Sequence, residues 1–288
     1  MKILALGCNG QLGAALSETI PNGVEIVGFD LPELDITKAA AVLDICHQSC
    51  PEVVINAAAY TAVDQAESEP ELSQAVNVVG PGNIAAGANE VGARLIHIST
   101  DFVFDGAAAE PYKSDAETNP LSVYGRTKRD GEQVVMDAMP EKTIVVRTAW
   151  LYSKTGSNFV KTMLRLMRER DELSVVSDQI GTPTWANSLA TAVWAFASAP
   201  QLAGIFHWTD GGQTTWYEFA VAIQEEALSL GLLDKGIPIH AITSADYPTA
   251  ATRPRYSVLS ISDTLAALNL NATEWRVNLR HMLKGMAT

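Results

Sequence analysis

The segment Lys2-Ile3-Leu4-Ala5-Leu6-Gly7-Cys8-Asn9-Gly10-Gln11-Leu12-Gly13 opens the chain as a short apolar run, residues 2–6, stopped by a glycine-rich turn. Gly7 arrives before a signal-peptide core could form, so the run reads as a buried first strand. Residues 12–20 then have helical spacing, which makes the whole a strand, turn and helix. Glycines at 7, 10 and 13 give G-x-x-G-x-x-G at that turn. Without side chains in the way, backbone amides at a helix N-terminus can approach a pyrophosphate closely. The alternative is that the glycines only permit tight strand-to-helix packing. Asp30 favours the first reading. It ends the next strand, 20 residues after Gly10, where a carboxylate accepts hydrogen bonds from adenosine ribose hydroxyls. The same carboxylate repels a 2′-phosphate, and Leu31-Pro32-Glu33 supplies no compensating cation. The expected cofactor is therefore NADH, with NADPH tolerated.

Outward from this unit, strand and helix keep alternating. Asp35-Ile36-Thr37 offers a cap before a helix over 39–49, residues 53–55 make a third strand, and apolar runs at 95–98 and 144–146 are separated by helical segments. The fold class expected is α/β, a doubly wound parallel sheet of Rossmann type with helices on both faces. Past residue 150 the regularity weakens, through a helix over 159–170, a strand over 173–176, an uncharged helix near 187–199, a strand over 204–208 and a helix over 216–229. Residues 1–150 are expected to form the dinucleotide-binding domain. Residues 151–288 are expected to form mainly a smaller C-terminal α/β substrate lobe that returns segments to the first domain. No repeat, low-complexity stretch or Ser/Gly linker separates the two, so they should share an interface.

Composition narrows the partners. Lys plus Arg number 20 against 33 Asp plus Glu, a formal charge of −13 over 288 residues, which repels phosphate backbones and anionic lipid. Neither nucleic acid nor a membrane is expected as a partner. An anionic nucleotide is still compatible, because the local field at a helix N-terminus outweighs net charge. Cys8, Cys46 and Cys50 are too few and too unevenly spaced for a disulfide framework, which fits a cytoplasmic protein. Cys46-His47 and Cys50 lie one helical turn apart but lack a partner cluster, so they read as structural rather than metal-binding. The uncharged residues 189–206 are interrupted by Pro200, Gln201 and Gly204, which indicates a buried helix followed by a strand rather than a membrane span.

Tyr124-Gly125-Arg126-Thr127-Lys128 is Y-x-x-x-K, which on a helix puts phenol and ammonium on one face, one turn apart. A free Tyr has a pKa of about 10, and a neighbouring cation would bring it closer to neutrality. Alone, the pattern is common as an ordinary surface pair. Its context is Thr100, 24 residues upstream at the carboxyl end of the 95–98 strand, together with the glycine turn. These three elements describe ketone reduction: Tyr124 gives a proton to the carbonyl oxygen, Thr100 gives it a hydrogen bond, and a nicotinamide delivers hydride to the carbon. Lys128 would also hold the nicotinamide ribose. The competing reading of Thr100 is a cap on the turn that follows.

These residues resemble the extended short-chain dehydrogenase/reductases, and among them the dTDP-4-dehydrorhamnose reductase family. The similarity spans nearly the whole chain. It rests on Gly7 to Gly13, Asn56-Ala57-Ala58-Ala59-Tyr60-Thr61-Ala62-Val63-Asp64, Ser99-Thr100-Asp101-Phe102-Val103-Phe104-Asp105-Gly106 and Tyr124 to Lys128. It continues in Arg147-Thr148-Ala149-Trp150-Leu151-Tyr152, Asp178-Gln179-Ile180-Gly181-Thr182-Pro183-Thr184 and Arg253-Pro254 before Ser257. The resemblance implies reduction of the C4 ketone of a dTDP-linked 6-deoxy sugar to give dTDP-L-rhamnose. It further implies that Gly10, Gln11, Leu12, Asp30, Asp35, Ile36, Ala59, Tyr60, Thr61, Tyr124 and Lys128 contact the cofactor, and that Thr100, Asp101 and Trp150 contact the sugar. Trp150, at a strand end, offers a flat wall for a deoxy-sugar methyl, although a Trp is more often core. Arg253 and Arg255 are candidates for the substrate diphosphate by their charge. Some family members bridge subunits through a metal held by acidic residues. Here Ala14-Ala15 and Asn187-Ser188 stand at the approximate counterparts, so no required metal is expected, and a homodimer would rest on other contacts.

Two other functions share this architecture. A nucleotide-sugar epimerase or dehydratase would recycle bound NAD, but the dehydratase acid/base pair beside the strand-end Thr is missing, since Phe102 and Val103 follow Asp101. A non-catalytic regulatory subunit would bind the dinucleotide without turnover, and intact Thr100, Tyr124 and Lys128 weigh against it.

Overall fold

The computed structural model describes residues 1–287. The first part runs β1 (Lys2–Leu6), α1 (Gln11–Glu18), β2 (Glu25–Phe29), α2 (Ala39–Ser49), β3 (Val53–Asn56), α3 (Val63–Ala66) and α4 (Pro70–Gln74). A π-helical turn, Ala75–Val79, then leads into α5 (Gly80–Glu90), β4 (Arg94–Thr100), α6 (Val123–Ala138) and β5 (Thr143–Thr148). The remainder comprises β6 (Leu151–Tyr152), α7 (Phe159–Glu169), β7 (Leu173–Val176), β8 (Ile180–Gly181), β9 (Thr184–Trp185), α8 (Ala186–Ala197) and β10 (Gly204–His207). It ends with β11 (Thr214–Thr215), α9 (Trp216–Ser229), β12 (Ile239–Ile242), α10 (Ser262–Leu268) and α11 (Trp275–Ala287).

Six strands form one sheet in the order β10-β5-β4-β3-β1-β2, and every pairing in it is parallel. The strands are short apolar runs because both faces of the sheet are covered. On one face, Ile3, Ile55, Ile96, Ile144 and Val146 pack against Leu12 and Leu16 of α1 and Leu189, Val193 and Phe196 of α8. On the other, Leu4, Val54, Leu95 and Val145 pack against α2, α5 and α6 through Val42, Ile84 and Val135. The doubly wound expectation is met. Sheet order reverses between β1 and β3, the switch point at whose carboxyl side ligands bind in open α/β sheets.

A separate core joins α7, α9 and α11 through Leu164, Phe219, Ile223, Leu279 and Leu283. Two segments beyond residue 151 lie away from it: α8 packs on the first sheet, and β10 extends that sheet at β5. The helix over 39–49 has the expected bounds, but its N-cap is Lys38, with no side-chain cap. The Asp35 carboxylate instead accepts the amide and hydroxyl of Thr37. Among the described residues no helix is long and apolar enough to cross a membrane.

Candidate active site

Most of the candidate residues follow the carboxyl ends of β1–β5 or lie on α1 and α6 beside them, whereas Arg253 and Arg255 come from the segment between β12 and α10. Gly7 follows β1 with φ +85°, and a Cβ there would lie 2.5 Å from the Ala58 amide nitrogen in the loop after β3. Only glycine fits both the dihedral and the approach. No side chain caps α1, whose N-cap is Gly10, so its first-turn amides carry no side-chain acceptor and suit a pyrophosphate. Asp30 accepts the Asn9 amide at 2.9 Å and the Leu31 amide at 2.8 Å, which fixes its carboxylate at the mouth of the glycine turn. Each carboxylate oxygen keeps capacity for a further donor, as ribose hydroxyls require. This donor set fits a dinucleotide.

The other cofactor candidates fall into two groups. Gln11 Oε1 accepts from Asn158 Nδ2 at 2.9 Å and Ser153 Oγ at 3.2 Å, tying the turn to the loop after β6. Ile36 is buried, and its carbonyl accepts from Asn83 at 2.9 Å; Leu12 and Gly13 are also buried. Ala59 and Tyr60 are half-buried and Thr61 exposed. Asn77, on the π-helical turn, clamps that loop: its Oδ1 accepts the Tyr60 amide at 2.9 Å while its Nδ2 donates to the Tyr60 carbonyl at 3.1 Å and to Thr127 Oγ1 at 3.2 Å. The Tyr60 phenol donates to Glu69 at 2.6 Å, which raises its pKa.

Thr100, Tyr124 and Lys128 converge. Ser122 caps α6 by accepting the Gly125 amide at 3.1 Å, and a Cβ on Gly125 would collide with the Phe102 carbonyl. The Gly in Tyr-Gly-Arg-Thr-Lys is therefore what lets α6 approach the turn after β4. Tyr124 is buried, with the Phe102 ring edge-on at 5.6 Å and Thr100 near enough to act on its phenol, although the Thr100 hydroxyl itself donates to Asp101 Oδ1 at 3.0 Å. Thr100 also accepts the Phe102 amide at 3.2 Å, so it caps its turn as well. The Lys128 ammonium donates to the Ile98 carbonyl at 2.6 Å.

The electrostatics depart from expectation. Burial pushes the Tyr124 phenol up to about 12, with the Thr100 hydrogen bond opposing and the Asp101 charge adding to the rise. The Lys128 ammonium, which donates to the Ile98 carbonyl, is itself pushed down to about 8 by desolvation, against the pull of Glu132. Burial likewise pushes Asp101 up to about 6, although the Ser257 and Thr100 hydroxyls bond to it. Its Oδ2 has no partner. An acidic oxygen held without a partner beside a phenol and a hydroxyl is placed to meet a ligand hydroxyl.

Trp150 adopts a left-handed backbone, φ +46°. One face of its indole is stacked on Trp216, with centroids 3.5 Å apart and planes 9° from parallel. Arg253 grips Asp64 at 2.6 and 3.1 Å, while Arg255 is exposed.

Comparison with known proteins gives the family. The family model described as the RmlD substrate binding domain matches residues 1–288. The dTDP-4-dehydrorhamnose reductase of Aggregatibacter actinomycetemcomitans is 40% identical, covering 98% of each chain. The chain belongs to this reductase family. A crystal structure of the Clostridium acetobutylicum dTDP-4-dehydrorhamnose reductase superposes with a TM-score of 0.93 at 42% identity over 100% of both chains. That of the Bacillus anthracis enzyme, in complex with NADP, gives 0.91 at 37% identity over 98% of both.

For a member of this family, the sequence reading gave no role to Asn77, Asp64, Ser257 and Glu132, although Asp64 and Ser257 stand in the strings that carry the resemblance. Glu132 had a usable signal, since it lies one helical turn after Lys128 on the same face. Asn77 had none, because a π-helical turn breaks the spacing on which face assignment rests.

Proposed function

We propose that the chain reduces the C4 ketone of dTDP-4-dehydrorhamnose, with NAD(P)H as reductant. The observation that carries the reading is the placement of Thr100 at the end of β4 beside the buried Tyr124 and Lys128 of α6, on the sheet edge that also bears the glycine turn. Bound NAD(P)H supplies hydride to the carbonyl carbon. Thr100 donates a hydrogen bond to the carbonyl oxygen, and Tyr124 delivers the proton that neutralises it. A phenol held near 12 is fully protonated at neutral pH and so is loaded as a donor. The phenolate left behind needs a cation, which is the work of Lys128. Asp101 and Trp150 meet the sugar, and Arg253 sits on the nucleotide side, ordered by Asp64.

Asp30 is the basis for a preference for NADH over NADPH within this class. With three free cysteines, a reducing cytoplasm is the setting, and a homodimer would rest on contacts other than a metal bridge; light scattering reads that state directly. The decisive experiment follows nicotinamide absorbance with dTDP-4-keto-6-deoxy sugars. Wild type should consume NAD(P)H, and Tyr124→Phe should lose most of the rate. A Tyr124→Phe variant as active as wild type would refute the proton-donor role.

A further inference from the structure

Beneath Thr100, Tyr124 and Lys128 lies a buried charged cluster that the chemistry above does not use. Glu132 stands one turn beyond Lys128 and two beyond Tyr124, on the same face of α6. Its Oε1 accepts the hydroxyl of Ser99, which immediately precedes Thr100 on β4. Arg147 on β5 donates Nε to both carboxylate oxygens at 3.0 and 3.2 Å and Nη2 to one of them at 2.7 Å. The two ion-paired side chains are only 3% and 4% exposed. Arg147 is held in turn by the Ser114 carbonyl at 3.2 Å and lies over the Phe104 ring at 5.1 Å. One carboxylate thus ties α6 to the end of β4 and to the strand that runs on to Trp150. A buried ion pair is a weak device for stability, because desolvation offsets its Coulomb gain, so its place in this wall calls for another account.

We propose that Glu132 is a positioning residue for the ketone reduction: it fixes the Thr100 end of β4 against α6 through Ser99 and Arg147, and sets a buried carboxylate one helical turn from Lys128. The inference rests on the reductase reading. Burial pushes the Lys128 ammonium down to about 8, and Glu132 is the charge that opposes this. The other groups around it do not replace that anion. From β4, His97 is kept neutral by burial and by the Lys128 charge itself; its Nδ1 meets the Asn56 amide at 2.9 Å. Tyr124, on the same helix, is a neutral phenol, and Asp101 at the end of β4 acts on that phenol. From β5 comes Arg147, a second cation, with His207 at 3.5 Å from its Nη1 and pushed down to about 3. Neutralising Glu132 therefore leaves Arg147 buried without its ion-pair partner and Lys128 without the charge that opposes its desolvation, and the Lys128 pKa falls.

The sign follows. Lys128 is charged below its pKa, and reduction needs that charge to hold the phenolate, so activity declines on the alkaline side. In Glu132→Gln the alkaline limb of kcat should move to lower pH by at least about one unit, since one unit corresponds to only ~1.4 kcal/mol of lost charge interaction. Ser99→Ala removes the strut without removing charge. It should lower plateau kcat about tenfold through a displaced Thr100, leaving the limb where it is and the cofactor KM unchanged. The experiment measures kcat and both KM values across pH for wild type and the two variants, with melting curves as a fold control. Lys128 is titrated independently by NMR of isotope-labelled lysine Cε. A limb and a Lys128 titration that stay in place in Glu132→Gln overturn the proposal. Should Glu132→Gln not fold, Ser99→Ala decides, and an unchanged kcat overturns it. Should wild type show no turnover, the reductase reading falls, and the Lys128 titration alone decides whether Glu132 holds that charge.

Discussion

Replacing Gly181 by alanine drives a methyl group into the Trp150 indole. The new Cβ would lie 2.5 Å from Cε2 and 2.7 Å from both Cζ2 and Nε1, an overlap of about 1 Å against ordinary carbon contacts. Neither partner is free to yield. Gly181 is paired to Thr214 across β8 and β11. The indole is stacked on Trp216, which is backed by Phe159 at 4.6 Å and Phe219 at 6.4 Å. Overpacking of this kind costs ~1–3 kcal/mol, and the cheapest relief is to turn Trp150 out of its stack. If Trp150 shapes the sugar site, that cost appears in substrate binding, where ~1.4 kcal/mol is a tenfold rise in KM. The cofactor KM should hold, because the glycine turn is untouched. Steady-state kinetics with dTDP-4-dehydrorhamnose, beside a thermal melt, reads both quantities. A lowered melting temperature with an unchanged sugar KM would refute the reasoning, because Trp150 would then be core and nothing more.

Two further outcomes follow from named groups. Asp30→Asn should raise the ratio of NADPH to NADH efficiency about five- to tenfold, since repulsion of one phosphate charge at ~4 Å in a watery dielectric is ~1 kcal/mol; parallel kinetics with both cofactors test it, and an unchanged ratio removes Asp30 from the selection. Asp210 is buried with one oxygen unpartnered, and burial pushes it up to about 6. A raised carboxyl contributes stability that is complete below its unfolded pKa and lost as pH rises through about 6, so Asp210→Asn should gain on wild type by ~2–3 kcal/mol between about pH 4 and about pH 7. Denaturant midpoints at the two pH values measure this, and a constant gap between the two proteins contradicts it.

What could be read from the sequence was local in spacing. The run 2–6, the glycines at 7, 10 and 13, and Asp30 at the end of the next strand fix β1, α1 and β2, because each feature lies within one supersecondary unit. Tyr124 and Lys128 were legible for the same reason, being one turn apart on a helix. The destinations of α8 and β10 were not. An uncharged helix announces burial, but periodicity does not say which surface buries it, and here the answer is the far-off pair α1 and the first sheet. The phenol's acidity in the ligand-free protein could not be read from spacing alone. A lysine four residues on suggests a lowered pKa, yet desolvation decides the balance.

The polar residues of the central strands have a common logic that only the register exposes. Buried parallel strands should be apolar throughout, and the amino-terminal ends of β3, β4 and β5 largely comply. At the carboxyl ends the pattern breaks, at Asn56, His97, Ser99, Thr100, Arg147 and Thr148. The breaks fall opposite one another: Asn56 pairs with His97, Ser99 with Arg147 and Thr100 with Thr148. Glu132 of α6 receives both Ser99 and Arg147, and Asn56 meets His97, whereas His97 Nε2 and Thr148 Oγ1 are left without a partner. Polar groups buried this deeply cost free energy unless they are matched, so the matched ones hold the edge in one arrangement. The Thr100 and Tyr124 hydroxyls are thereby held on strand and helix before any ligand arrives, which is the positioning that the proposed reduction requires.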